Sequence, residues 1–152
     1  MKRAVALGLA VFLFLVSPVW AKDPQVLVKT LADSHKMTAG GGFSVVELLN
    51  PRNDKVDPGF SIAYVSLQPG KATEPHKLLN SSQVYYVVKG EAVLHANGKT
   101  LTLKPGMAVY LAPGVVQWAE NRGHEEFAFL CVVSPPWRPG EEVVKKEYGH
   151  RK

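Results

Sequence analysis

The sequence predicts an all-β protein: one antiparallel sandwich or barrel in a single domain. Three observations carry that expectation. From Phe43 onward, short runs rich in Val, Tyr, Leu and Phe are punctuated by turn chemistry such as Asp57-Pro58-Gly59, Gln68-Pro69-Gly70, Lys104-Pro105-Gly106 and Ala112-Pro113-Gly114. The spacing is roughly every eight to twelve residues, as in antiparallel sandwiches and barrels. Asn97-Gly98 joins Ala92-Val93-Leu94-His95 to Thr100-Leu101-Thr102-Leu103. Such a pair is a strong hairpin signal, because both central residues of a type I′ turn need positive φ. No amphipathic segment of crossover length separates the runs, which argues against a parallel sheet.

The elements follow in order. Residues 1–21 begin with Lys2 and Arg3, continue with an apolar run from Ala4 to Val16, and end in Val19-Trp20-Ala21. That is a secretory signal peptide with cleavage expected after Ala21, which places the protein in the periplasm or outside the cell. The run is shorter than the roughly 20 residues a spanning helix needs, so no stable membrane anchor is expected after cleavage. Residues 22–42 form an N-terminal arm in which Val26-Leu27-Val28 and Leu31 suit a short helix or an edge strand equally, before Gly40-Gly41-Gly42 breaks the pattern. As an edge strand, Val26 to Leu31 is a candidate for exchange between copies in a homodimer. The barrel is expected over 43–134. Ser134-Pro135-Pro136 ends its ladder, and 135–152 reads as a return over the barrel followed by a solvated charged tail holding Glu141, Glu142, Lys145 and Lys146.

Charge narrows the partners. The 152 residues hold 18 Lys plus Arg against 13 Asp plus Glu. The signal takes two of the bases and no acid, leaving a mature net charge of +3. No concentrated basic face is evident, so nucleic acid is excluded as a partner. Cys131 is the single cysteine, so no disulfide can form within the chain. It lies in the apolar run Phe127 to Val133 and reads as a small buried hydrophobe. No glycine-rich phosphate loop on a strand-to-helix turn is present, which argues against dinucleotide-dependent redox chemistry.

Two segments carry further information. Pro69 to Gly90 places Gly70, His76 and Gly90 in one frame, and Pro105 to Asn121 places Gly106, Gly114 and Asn121 in another. Together they resemble the two motifs of the cupin superfamily. The first motif runs from Gly through His-x-His and Glu to Gly; here Leu78 stands at the second His and Gln83 at the Glu. The second runs from Gly through Pro-x-Gly and His to Asn; here Ala112 stands at the Pro, with Pro113 one place late, and Gln117 stands at the His. The resemblance spans Phe43 to about Ser134 and implies a jelly-roll cupin barrel.

It also implies a divalent metal held by three His and one Glu, of which this chain keeps one ligand. Leu78 has no lone pair, and Gln83 and Gln117 offer only neutral amide oxygens. The expectation is therefore no cofactor, or a divalent metal bound weakly by a makeshift set of Glu74, His76, Gln83 and Gln117. The period-two rule puts His76 and Leu78 on one side of their segment, and Gln83 and Tyr85 on one side of the next. His76, Gln83, Tyr85, Gln117 and Trp118 are the candidate ligand-binding residues, with donors, acceptors and a stacking ring for a small molecule. Trp137 is assigned to the core. A polar network inside a packed barrel, or a metal-dependent dioxygenase or isomerase with an altered ligand set, are the competing readings. No catalytic residue is assigned.

Overall fold

The computed structural model describes residues 26–39 and 42–145. The expected signal peptide and the end of the tail lie outside them. Eleven strands are described: β1 (His35–Ala39), β2 (Phe43–Leu49), β3 (Ser61–Leu67), β4 (His76–Leu78), β5 (Ser82–Lys89), β6 (Ala92–Ala96), β7 (Lys99–Leu103), β8 (Ala108–Leu111), β9 (Gln117–Glu120), β10 (Phe127–Ser134) and β11 (Glu142–Val144). They form a six-stranded sheet in the order β1-β2-β3-β10-β5-β8 and a five-stranded sheet in the order β11-β4-β9-β6-β7. Every pairing is antiparallel.

Alternation of side chains explains how the sheets meet. In β5, Gln83, Tyr85 and Val87 are buried, while Tyr86 and Val88 face outward and are exposed. β10 lies between β3 and β5, with Phe129, Cys131 and Val133 opposite Val65, Ala63 and Ser61 on one side. One core joins both sheets: Leu67, Val87, Phe127 and Phe129 from the larger pack with Leu78, Leu94, Leu103 and Ala119 from the smaller. Burial of these side chains is the main stabilising contribution, at about 1.5–3 kcal/mol for each Val, Leu and Phe.

The Asn97-Gly98 hairpin forms as expected: Ala96 faces Lys99, and both turn residues have positive φ. Gly90 is required twice over, since its φ is 70° and a Cβ there would collide with the Glu126 carbonyl oxygen. Asn121 is fully buried and ties three segments together: its Nδ2 donates to the Leu67 and Glu125 carbonyls at 2.9 and 2.8 Å, and its Oδ1 accepts from the Gly123 N–H at 2.9 Å.

Two expectations change. Val26 to Leu31 carries no strand; the arm's strand is β1, further along, and it pairs with β2 of the same chain. Lys29 docks the preceding stretch through an ion pair to Asp54 at 2.8 Å. At the other end, Glu141 is buried rather than part of a solvated tail, and Glu142, though exposed, lies in a strand. β11 pairs with β4, with Val144 opposite His76, and Glu141 is 4% exposed. Its carboxylate accepts from the Asn80 and Ser81 backbone N–H groups at 2.6 and 2.7 Å. Burial alone would raise its pKa, but those donors and the Asn80 side chain outweigh it and hold the carboxyl below its ordinary range.

Candidate ligand cavity

A cavity of about 430 Å³ lies among the inward faces of β2, β3, β4, β5 and β10. Its apolar wall includes Phe43 and Val45 from β2, Ala63 and Val65 from β3, and Phe129 and Val133 from β10. Tyr85 and Phe129 pack with ring centroids 4.3 Å apart. The polar groups facing it include Glu47, Glu74, His76, Gln83, Tyr85 and Glu142. Met37 from β1 and Trp137 from the return complete the enclosure. Trp137 is fixed by its N–H donating to Ser61 Oγ at 3.0 Å, by its carbonyl accepting from Asn50 Nδ2 at 3.2 Å, and by the Arg52 guanidinium 5.3 Å from its ring centroid. It also packs against the core, the place sequence reasoning assigned to it.

β4 and β9 meet at a single register pair, His76 opposite Gln117. A directed line of hydrogen bonds follows. His76 Nδ1 lies 2.7 Å from the Glu74 carbonyl oxygen, which can only accept, so Nδ1 carries the proton. In the neutral ring, Nε2 is then an acceptor and takes a hydrogen bond from Gln117 Nε2 at 2.6 Å. Gln117 Oε1 in turn accepts from the Tyr85 hydroxyl at 2.6 Å. Gln117 is fully buried and stands behind the wall rather than in it. Burial first, then the electrostatic influence of Cys131 and Glu142, pushes the Tyr85 phenol well above its ordinary value of 10.0.

Gln83 is 5% exposed and accepts the Cys131 Sγ–H at 3.4 Å through Oε1. Burial, and after it the Glu142 carboxylate, pushes the Cys131 thiol up to about 12, so the thiol is inert at neutral pH. Trp118 is placed elsewhere: it follows Gln117 in β9, points to the other face of the strand, and stacks on His95 with centroids 4.4 Å apart. It is absent from the cavity wall. Sequence reasoning missed Phe43, Glu47, Met37 and Glu142, which are distant in sequence from the two motifs and reach the cavity through sheet pairing.

Residues 63–133 match the cupin domain family. That match and the fold place residues 63–133 in the cupin superfamily. Over 71 residues it is 34% identical to a Thermotoga maritima protein named oxalate-binding protein, covering 47% of this chain and 59% of that one, less than two thirds of the relative's length. Among solved structures, a predicted oxalate decarboxylase from Thermotoga maritima superposes with a TM-score of 0.63 at 25% identity, covering 72% of this chain and 99% of that one. Streptomyces Pac13, described as a nucleoside dehydratase, superposes at 0.65 with 18% identity, covering 80% of this chain and 92% of its own, and shows the shared fold alone.

The metal that the superfamily implies does not fit the residues present. Among the described residues, no group of three His, Cys, Asp or Glu is placed to hold an ion. Leu78 fills one ligand position with a buried hydrocarbon, and the Nε2 lone pair of His76 is already engaged by Gln117.

Proposed function

We propose that this protein is an exported cupin that binds a small molecule in its barrel, at a site that has lost most of its metal-binding capacity. The observation that carries the reading is the line from Glu74 through His76 and Gln117 to Tyr85, beside a cavity of about 430 Å³. Both nitrogens of the cavity's imidazole are used within the protein, so it serves as a fixed polar wall rather than as a free ligand. The volume and the mix of aromatic and sparse polar groups suit a small organic molecule. The name of the Thermotoga maritima relative, oxalate-binding protein, supports a small-molecule role.

Metal content tests the reading. Mature protein purified without chelator or an affinity nickel column should hold far less than one equivalent of transition metal by elemental analysis. Stoichiometric metal that is lost in His76→Ala would overturn this and point to a metal enzyme with an altered ligand set. As a complement, Leu78→His with Gln83→Glu and Gln117→His should create tight metal binding; a folded triple variant that binds none would refute the alignment of these positions with the family's ligands. Export rests on the pattern of residues 1–21, and the protein recovered from its host should begin at Lys22.

A further inference from the structure

We infer that the cavity selects small organic cations with an aromatic or apolar body, and discriminates against carboxylate ligands such as oxalate; the inference rests on the binding reading above and names its ligand class. Three carboxylates reach the wall: Glu47 from β2, Glu74 beside β4 and Glu142 from β11. Among the described residues, the wall holds no Lys and no Arg. The Arg52 guanidinium lies over the Trp137 ring and is not part of the wall. Lys145 follows β11 and bonds Pro75 through its backbone, and it is not part of the wall either.

The acids are not equivalent. Glu47 is 7% exposed, and among the described residues its two oxygens accept from neutral amides, Asn50 Nδ2 at 3.0 Å and Asn53 Nδ2 at 2.6 Å. Amide donors orient this carboxylate without neutralising it, so its field acts on the cavity through a poorly screening interior. Glu74 and Glu142 are exposed and stand in the cavity wall, and Glu142 also contributes to the upward shifts of both Tyr85 and Cys131. The wall's one imidazole among the described residues, His76, presents an acceptor at Nε2 that Gln117 already occupies, and so offers no compensating positive charge in its neutral form.

An anionic ligand would therefore enter a negatively biased, largely apolar space with no cation to receive it, and would lose its hydration without replacement. A protonated amine meets the opposite situation. Its body can lie against Phe43, Phe129 and Trp137 while its ammonium faces the acids. Gln83 adds a positional constraint: its Oε1 is engaged by Cys131, while among the described residues its Nε2 has no partner, so it can donate to an acceptor on the ligand. A ring bearing a hydroxyl at one end and an amine at the other meets both demands.

The test uses mature, chelator-treated protein and isothermal titration calorimetry at low ionic strength. Four probes are compared: tyramine, its neutral counterpart 4-ethylphenol, its anionic counterpart 4-hydroxyphenylacetate, and oxalate. Tyramine should bind about tenfold more tightly than 4-ethylphenol, with no heat from either carboxylate. The tyramine advantage should fall in Glu74→Gln/Glu142→Gln, where Glu47 alone remains, and should shrink as salt is added. If 4-ethylphenol binds as well as tyramine, the charge inference fails while the cavity reading stands. Oxalate or 4-hydroxyphenylacetate binding to metal-free protein overturns the inference outright. If none of the four probes binds, the inference and the small-molecule reading fail together.

Discussion

The Glu74 carbonyl oxygen has no proton to give, and that fact sets the sense of each hydrogen bond between it and Tyr85. Gln117 is the hinge of the line, because its amide donates to His76 at one end and accepts from Tyr85 at the other. Gln117→Leu keeps the volume but strands the Tyr85 hydroxyl and His76 Nε2, and should destabilise the protein by about 2 kcal/mol in urea titration. Tyr85→Phe removes one hydrogen bond and should cost about 1 kcal/mol. Cys131, with its thiol pushed to about 12, should resist an aromatic disulfide reagent at pH 8 and react only as the protein unfolds. Of these residues, His76, Gln83 and Tyr85 were legible from the motif frame and strand parity. Gln117 was legible as a position, yet its role behind the wall depends on β4 meeting β9 at one residue pair. Trp118, expected as a stacking ring for a ligand, instead stacks on His95, because adjacent residues on a strand face opposite ways.

At the scale of elements, turns carry the readable information. Asn97-Gly98 fixed β6 and β7 from sequence alone because only a narrow set of residues tolerates the required backbone. Gly90 and Gly98 both have positive φ, but no atom lies near an added Cβ at Gly98, whereas the Glu126 backbone blocks one at Gly90. Gly98→Ala should therefore cost about 1 kcal/mol and Gly90→Ala distinctly more, measured as a larger fall in thermal midpoint. The strands at the two ends were the hard ones to read. β1 and β11 are short and are specified by their partners, β2 and β4, rather than by periodicity of their own. Glu141 illustrates the point: in sequence it is one acid in a charged stretch, and only the fold brings the Asn80 and Ser81 N–H groups to it.

For the whole molecule, the shifted groups define the pH range of stability. Glu141 has a depressed pKa in the folded state, so its contribution is present above the ordinary value of 4.5 and is lost as pH falls through the lower folded value. Cys131 behaves oppositely: its folded pKa is raised, so its contribution is full below the ordinary value of 9.0 and fades as pH rises toward about 12. Tyr85, shifted up from 10.0, acts in the same direction. Chemical denaturation across pH should show a plateau with an acid limb below about 4.5 and an alkaline limb above about 9, and Glu141→Gln should flatten the acid limb while lowering the plateau by about 1–3 kcal/mol. The enclosure has one more consequence, which concerns time. Trp137, Glu142 and the strand that pairs with β4 come from the far end of the polypeptide, so a chain growing from the ribosome makes the motif residues long before it makes the parts that close around them. A nascent chain halted before residue 137 would own every recognisable signature of the family and still have an open, unfinished chamber.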